Sequence, residues 1–267
     1  MKKHLSTIIL IVILIAGLSL LLYPTVSDYW NSFHQSRAIS AYTEQVEQID
    51  TREQEAALAR ARAYNEELWN KSNRYEFTEE EEEEYENLLN ISDTNMIGYI
   101  EIPSINCHLP IYHGMSQEVL QTGVGHMKGS SLPVGGEGTH SVLTAHRGLP
   151  SAKLFTNLDK MEEGDYFVLH VLGETLTYEI DQIHIVLPDD VRDLELEEGK
   201  DYCTLVTCTP YGVNSHRLLL RGHRTENQAE HLVKEDAEQL NSTMIALIIA
   251  GTILLILFIG TLIRHRK

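Results

Sequence analysis

The chain has 267 residues, a formal net charge of -18 and a pI near 5.1, enough for one sizeable core with extensions. No basic stripe is available to neutralise phosphates, which excludes nucleic acid as a partner. Much of the acidity lies in one place, Glu79 to Glu84 and its flanks.

From the amino terminus, Leu5 to Tyr23 carries no charge over 19 positions. As a helix that is about 28 Å, the thickness of a bilayer's hydrocarbon core. It exceeds a typical signal-peptide apolar stretch, and no small-x-small site follows near Tyr23-Pro24-Thr25, so it reads as a retained anchor. From Phe33 to about Asn70 the chain is rich in Ala, Glu, Gln, Arg and Leu without Gly or Pro, and predicts one long helix with a break allowed at Asp50 to Arg52. It would serve as a stalk or a brace. Thr78 with Glu81 predicts a capping box. Tyr85, Leu88 and Leu89 give the following short helix an apolar edge, which makes the glutamate run its solvated face.

After Ser92 the pattern changes to short β-type runs punctuated by Gly and Pro: "MIGYIEI", "CHLPIYH", "SVLTAH", "DYFVLHVL", "TLTYEIDQIHIVL", "CTLVTC" and "RLLLRGH". Short helices are predicted at Gln117 to Gln121 behind Ser116, and at Ala152 to Asp159 behind Ser151. Strands at this spacing predict a closed or nearly closed β-barrel. Gln228 to Ser242 is polar, a tether or the start of a further helix. Met244 to Ile263 is a second apolar run of 20 positions.

Lys2 and Lys3 precede the first run, and Arg264, His265, Arg266 and Lys267 follow the second. Positive flanks stay inside, so the expected topology is two-pass, with both termini cytoplasmic and the catalytic domain extracellular. The expected divisions are a tail at 1–4, a membrane helix at 5–23, a helical stalk at 24–95, a barrel at 96–226, a linker at 227–243, a second membrane helix at 244–263 and a tail at 264–267.

The three cysteines are Cys107, Cys203 and Cys208. Cys203 and Cys208, five apart on one strand, would face opposite sides roughly 16 Å apart, beyond the ~7 Å a disulfide tolerates. That geometry leaves a bridge from Cys107 open, and three free thiols are the expectation. The 13 histidines are scattered singly, with no paired ligand spacing, so no metal site is expected. Gly135-Gly136 lacks the helix opening of a phosphate loop and reads as a turn. No cofactor is implied.

Nucleophilic catalysis remains. Cys208 ends a β-type run and Arg217 opens the next, so a hairpin would bring them together. On the residues alone Cys208 is either a buried small side chain or a nucleophile. His126, His140, His146 and His216 each end or border a run, and periodicity does not rank them.

"TLVTC" at 204 to 208 resembles the Thr-Leu-x-Thr-Cys signature of sortases, "LTAHRG" at 143 to 148 their histidine segment, and "SHRLLLRGHR" at 215 to 224 their arginine strand. The longer stretches "GVGHMKGSSLPVGGEGTHSVLTAHRGLPSAKLFTNLDKM" and "TLVTCTPYGVNSHRLLLRGHR" are similar to class C sortases, the pilin polymerases of Gram-positive bacteria, and the match runs from about residue 97 to 224. The resemblance implies an eight-stranded barrel with His146, Cys208 and Arg217 as the catalytic set. It implies a cysteine transpeptidase that cleaves a Leu-Pro-x-Thr-Gly-like sorting signal between Thr and Gly and joins the Thr to a pilin lysine. Class C members carry a lid with an Asp-Pro-aromatic tip, yet no proline occurs here between Pro24 and Pro103. Tyr75, Phe77 or Trp69 is the candidate aromatic, against a reading as surface residues beside a helix cap. The rivals are a sortase using a cell-wall precursor amine, a plain cysteine protease and a non-catalytic surface adhesin. The adhesin would need a sorting motif before Met244, and Gln228 to Ser242 has no proline.

Overall fold

A computed structural model describes residues 2–91 and 94–227, and residue 251. The expected linker and second membrane helix lie outside the described residues, apart from Asn227 and Gly251.

The first helix, α1 (Lys2–Gln48), runs on through Pro24, so the first apolar run and the start of the brace form one element. Within it Ile11–Gln48 is long enough, and apolar enough in part, to cross a membrane. Ile13, Leu14, Leu20 and Leu21 are exposed. The break at Asp50 is real. Its side chain accepts from Arg52 N–H and caps α2 (Thr51–Asn70).

Both helices brace the barrel through specific bonds. Tyr42 donates its hydroxyl proton to Ile97 O and accepts from Leu172 N–H, each at 3.0 Å. Asn65 meets Leu132 as a strand neighbour would, accepting at 2.7 Å and donating at 3.1 Å. The capping box of α3 (Glu79–Asn87) forms as the Thr78 and Glu81 spacing requires. Tyr85, Leu88 and Leu89 are buried under it, and Glu81 and Glu82 reach Lys71 and Lys128 from the other side.

The eight strands are β1 (Met96–Ile102), β2 (Cys107–His113), β3 (Val124–His126), β4 (Thr139–Thr144), β5 (Tyr166–Val171), β6 (Glu174–Val186), β7 (Asp201–Thr209) and β8 (His216–Thr225). They close into a barrel in the order β1-β2-β3-β4-β7-β8-β6-β5. Two of the pairings are parallel, β2 with β3 and β4 with β7. The interior is filled by alternate residues such as Ile100, Leu143, Phe167, Cys203, Leu205 and Leu220. At Gly222 the ring of Phe167 comes so near that a Cβ would sit 2.8 Å from it, which leaves room for glycine alone.

Helix α4 (Gln117–Thr122) begins behind Ser116, whose side chain accepts from Val119 N–H. The helix expected over Ala152 to Asp159 does not form. That stretch is a turn with a short 3-10 piece at Leu158–Lys160. Phe155 N–H donates to His146 O at 3.2 Å and Gly148 N–H donates to Thr156 Oγ1 at 3.1 Å, so this stretch bonds to the loop at 146–148 and a backbone donor that a helix would have used goes there.

Candidate active site

On β7 the side chains alternate between the barrel interior and its outer face. Cys203 and Leu205 enter the main core. Val206 belongs to a second apolar cluster with Val142, Leu194 and Leu219, edged by Met127, Val186 and Val191. Val142, Val206 and Leu219 come from β4, β7 and β8 and pack on the outer face of the sheet with Leu194 and Val191, which come from the loop before β7.

Cys208 lies two residues beyond Val206 and therefore on the same face. Its register partner on β8 is Arg217, itself two residues from Leu219. On the other side β4 pairs with β7 through Thr144↔Val206, and Ala145 N–H still bonds Val206 O at 3.2 Å. Continuing that register by two residues puts His146 opposite Cys208. Cys208 and Arg217 thus sit side by side on strands about 4.8 Å apart, beside this outer apolar cluster, with His146 two residues past the end of β4 on the other side of Cys208. All three are partly exposed.

Arg217 Nη1 donates to the carbonyls of Asn214 and His216, at 3.3 and 3.1 Å, and has no carboxylate partner among the described residues. The imidazole of His146 makes no hydrogen bond among the described residues, and partial burial lowers its pKa. A thiol and an imidazole at reference values of about 8.5 and 6.5 form only about one percent ion pair, and the burial of His146 shifts the balance further towards the neutral pair.

The other candidate histidines have tertiary roles. His126 donates from Nε2 to Ser131 O and accepts at Nδ1 from the Tyr85 hydroxyl, both at 2.8 Å, and burial lowers its pKa to about 3. His140 donates from Nδ1 to Glu195 O at 2.8 Å and bonds Thr204 Oγ1 through Nε2 at 2.7 Å, with its pKa lowered to about 4 by burial. His216 is the register partner of Thr209 and bonds its neighbour Ser215.

All three cysteines are free. Burial pushes the Cys107 thiol up to about 12, although the residue as a whole keeps some exposed surface, and pushes the thiol of Cys203 well above its usual range. Among the described residues no group of three His, Cys, Asp or Glu could hold a metal ion.

The candidate lid aromatics each have other neighbours. Trp69 stands over Gly138 near the start of β4, at the end of the barrel away from Cys208. Tyr75 packs on Gly129, with Arg74 above its ring at 5.0 Å. Phe77 lies between the ammonium groups of Lys71 and Lys128, at 4.4 and 4.9 Å. No hydrogen bond, ion pair or ring contact joins these residues to His146, Cys208 or Arg217 among the described residues. Their segment instead fastens the loop before β7, since Arg74 donates to Leu194 O at 2.9 Å and meets Glu195 at 3.1 Å.

Residues 100–225 match the Sortase domain family. Among solved structures, sortase C1 from Streptococcus agalactiae is 51% identical with a TM-score of 0.70, over 72% of this chain and 100% of that one. The chain belongs to the sortase family, and to its class C. Sortase C of Clostridium perfringens, solved with a C-terminal cell wall sorting motif, is 45% identical with a TM-score of 0.64, over 72% of this chain and 100% of that one. Sortase D of Bacillus subtilis is 35% identical over 130 residues, 48% of this chain and 63% of that protein. The chain spans less than two thirds of the curated relatives it matches.

Sequence reasoning missed the outer apolar cluster in this sortase. The outward alternation of Val206 beside inward Leu205 was a readable signal for it. Leu194 and Val191 carried none, because they come from an irregular loop. Arg147 was also passed over, although it adjoins a candidate histidine.

Proposed function

We propose that this sortase is a membrane-anchored cysteine transpeptidase that cleaves a Leu-Pro-x-Thr-Gly-like sorting signal between Thr and Gly and joins the Thr to a pilin lysine, building covalent pili. The observation that supports the reading is the register that pairs Cys208 with Arg217 and, continued past the end of β4, brings His146 to the other side of Cys208. The apolar cluster of Val142, Leu194, Val206 and Leu219 beside them would then be the floor and wall of a groove for an extended peptide with apolar side chains, leading to the thiol.

In the first half-reaction Cys208 Sγ bonds to the Thr carbonyl carbon as its proton passes to His146. The Thr–Gly bond breaks, and His146 returns the proton to the leaving glycine amine. Arg217, with no anionic partner of its own, donates to the developing oxyanion or orients the substrate. The thioester is then attacked by the lysine amine. At a reference pKa of about 10.4 that amine arrives charged, so it must lose one proton, with His146 as the base, before it can attack, and a second passes through His146 to Cys208 Sγ as the C–S bond breaks.

The sequence of α1 supports an anchor, and Lys2 and Lys3 before it support a cytoplasmic amino terminus. Holding enzyme and substrate in one membrane raises their effective concentration.

The test is to incubate the protein with a Leu-Pro-x-Thr-Gly peptide and candidate pilin domains and to map new bonds by mass spectrometry. A Thr–lysine isopeptide dependent on Cys208 is the expected product. Transfer only to a peptidoglycan-type amine would replace the pilin role with cell-wall attachment, and no acyl-enzyme at all would overturn the mechanism.

A further inference from the structure

The residues on either side of His146 are bonded to the residues on either side of Cys208. Upstream, Thr207 Oγ1 donates to Ala145 O at 2.8 Å, and both residues are buried. Downstream, Arg147 Nη1 donates to Thr209 Oγ1 at 3.3 Å, while Nη2 pairs with Asp159. The Arg147 side chain is only 8% exposed, and its Nε is buried without a hydrogen-bond partner. Tyr211, from the turn after Cys208, brings its ring centroid to 5.8 Å from the guanidinium carbon. That ring would lie 2.9 Å from a Cβ at position 148, where φ is +77°. Gly148 thus lets the histidine loop sit against the turn that follows the nucleophile.

Burying a guanidinium is costly unless its geometry is used. Here its planar fork spans two elements, the end of β7 and the turn that holds Asp159. The imidazole itself has no hydrogen-bonding partner among the described residues, so no third side chain orients it. Its place relative to Cys208 is therefore set by its backbone, and the backbone is held by these two clasps.

We propose that Arg147 is a positioning residue for the Cys208–His146 pair: by joining the histidine loop to Thr209 and Asp159 it holds the imidazole at the separation from the sulfur at which a proton can pass. Proton transfer needs heavy atoms about 2.6–3.2 Å apart or one bridging water, and a displacement near 1 Å costs about a hundredfold. This inference rests on the proposed roles of Cys208 and His146.

The experiment measures hydrolysis of a fluorogenic Leu-Pro-x-Thr-Gly peptide by R147A, R147K and T209V, alongside C208A and H146A. It also records the pH profile of Cys208 alkylation and the melting temperature of each variant. R147A is expected to lose about 10- to 100-fold in kcat with KM within about twofold, and its alkylation profile should move relative to the parent enzyme. T209V, which removes only the acceptor hydroxyl, should lose part of the same kcat, and the double variant should be no worse than R147A. R147K keeps the charge but not the fork, and should not restore the rate. A lower melting temperature with kcat and the alkylation profile unchanged would overturn the proposal. If R147A does not fold, an unaltered kcat in T209V would overturn it equally. Full activity in C208A would instead defeat the underlying catalytic reading, so the two failures are told apart.

Discussion

Cys208 and Arg217 face each other as register partners of β7 and β8, on the outer face of the barrel, whereas Cys203, five residues earlier on the same strand, points into the core and is 0% exposed. One strand thus carries two thiols in opposite environments. Burial holds Cys107 and Cys203 protonated at neutral pH. Iodoacetamide at pH 7–8 is expected to label Cys208 alone, read by peptide mapping. C208A should form no peptide adduct in intact-mass measurements, while C107A and C203A should form it normally. C203A should cost on the order of 1 kcal/mol of stability for the lost core contacts. Loss of the adduct in C203A would move the nucleophile to that residue.

Stability should fall as the medium is acidified, before most carboxylates titrate. His126 and His140 are held neutral by burial, with folded pKa values of about 3 and about 4. Below the unfolded value of about 6.5 the unfolded chain takes up protons that the folded chain refuses, so each residue removes up to ~1.4 kcal/mol per pH unit between that value and its folded one. Asp201, whose pKa burial raises, acts in the opposite sense but only within the carboxylate range. The urea midpoint is therefore expected to decline from pH 6.5 towards 4. A midpoint flat between pH 7 and 5 would contradict the assignment of both histidines as neutral core groups.

These two histidines also show where the sequence stopped being readable. His126, His140 and His146 all border β-type runs, and only their tertiary partners separate them: Tyr85 and Ser131 for the first, Thr204 and Glu195 for the second, no ring partner for the third. The alternating strands, the Thr78 capping box and the Asp50 break were legible because local chemistry decides them. Strand β3 was not, since three residues carry no period. The stretch 152–159 misled because its helix-like start is overridden by bonds to the histidine loop. The outer apolar cluster was hidden because part of it is supplied by a loop without periodicity.

Arg217 should not be replaceable by lysine. It has no carboxylate partner among the described residues, and two of its bonds go to carbonyls of its own turn, which aim the planar fork. R217A is expected to lose about 10²–10³ in kcat, the range for removing one oxyanion donor. R217K should recover little, because an ammonium is a point charge without the fork. Near-parental kcat/KM in R217K would show that charge alone is needed there.

The short helix α3 should depend on one hydroxyl rather than on its glutamates. Tyr85 donates to His126 Nδ1 at 2.8 Å and accepts from Gly114 N–H at 3.2 Å. Tyr85→Phe leaves two groups unpartnered in or near the core and is expected to cost about 1–3 kcal/mol in urea unfolding. The double change E80Q/E83Q, on the solvated face, should stay within ~0.5 kcal/mol. The reverse order of effects would mean that the acidic face, not the buried edge, holds the helix in place.

Arg74 should govern the proposed groove rather than the thiol. Its side chain is 8% exposed and donates to Leu194 O at 2.9 Å, while His140 donates to Glu195 O next door. Two buried donors from separate elements thus fix the loop that would supply the groove wall, and Leu194 packs on Val142, Val206 and Leu219. Removing the guanidinium leaves the Leu194 carbonyl with one fewer partner, and the loop keeps the bond from His140, the pair His184–Asp193 and the bond from Gly138 N–H to Lys200 O. R74A is expected to speed hydrogen exchange over residues 191–200 and to raise KM for a sorting-signal peptide several-fold. Its kcat should stay within about threefold, because Cys208 and Arg217 are held by β7 and β8, and the loop of His146 by its own bonds to Thr207 and Thr209. A fall in kcat with KM unchanged would instead tie the loop to the chemical step.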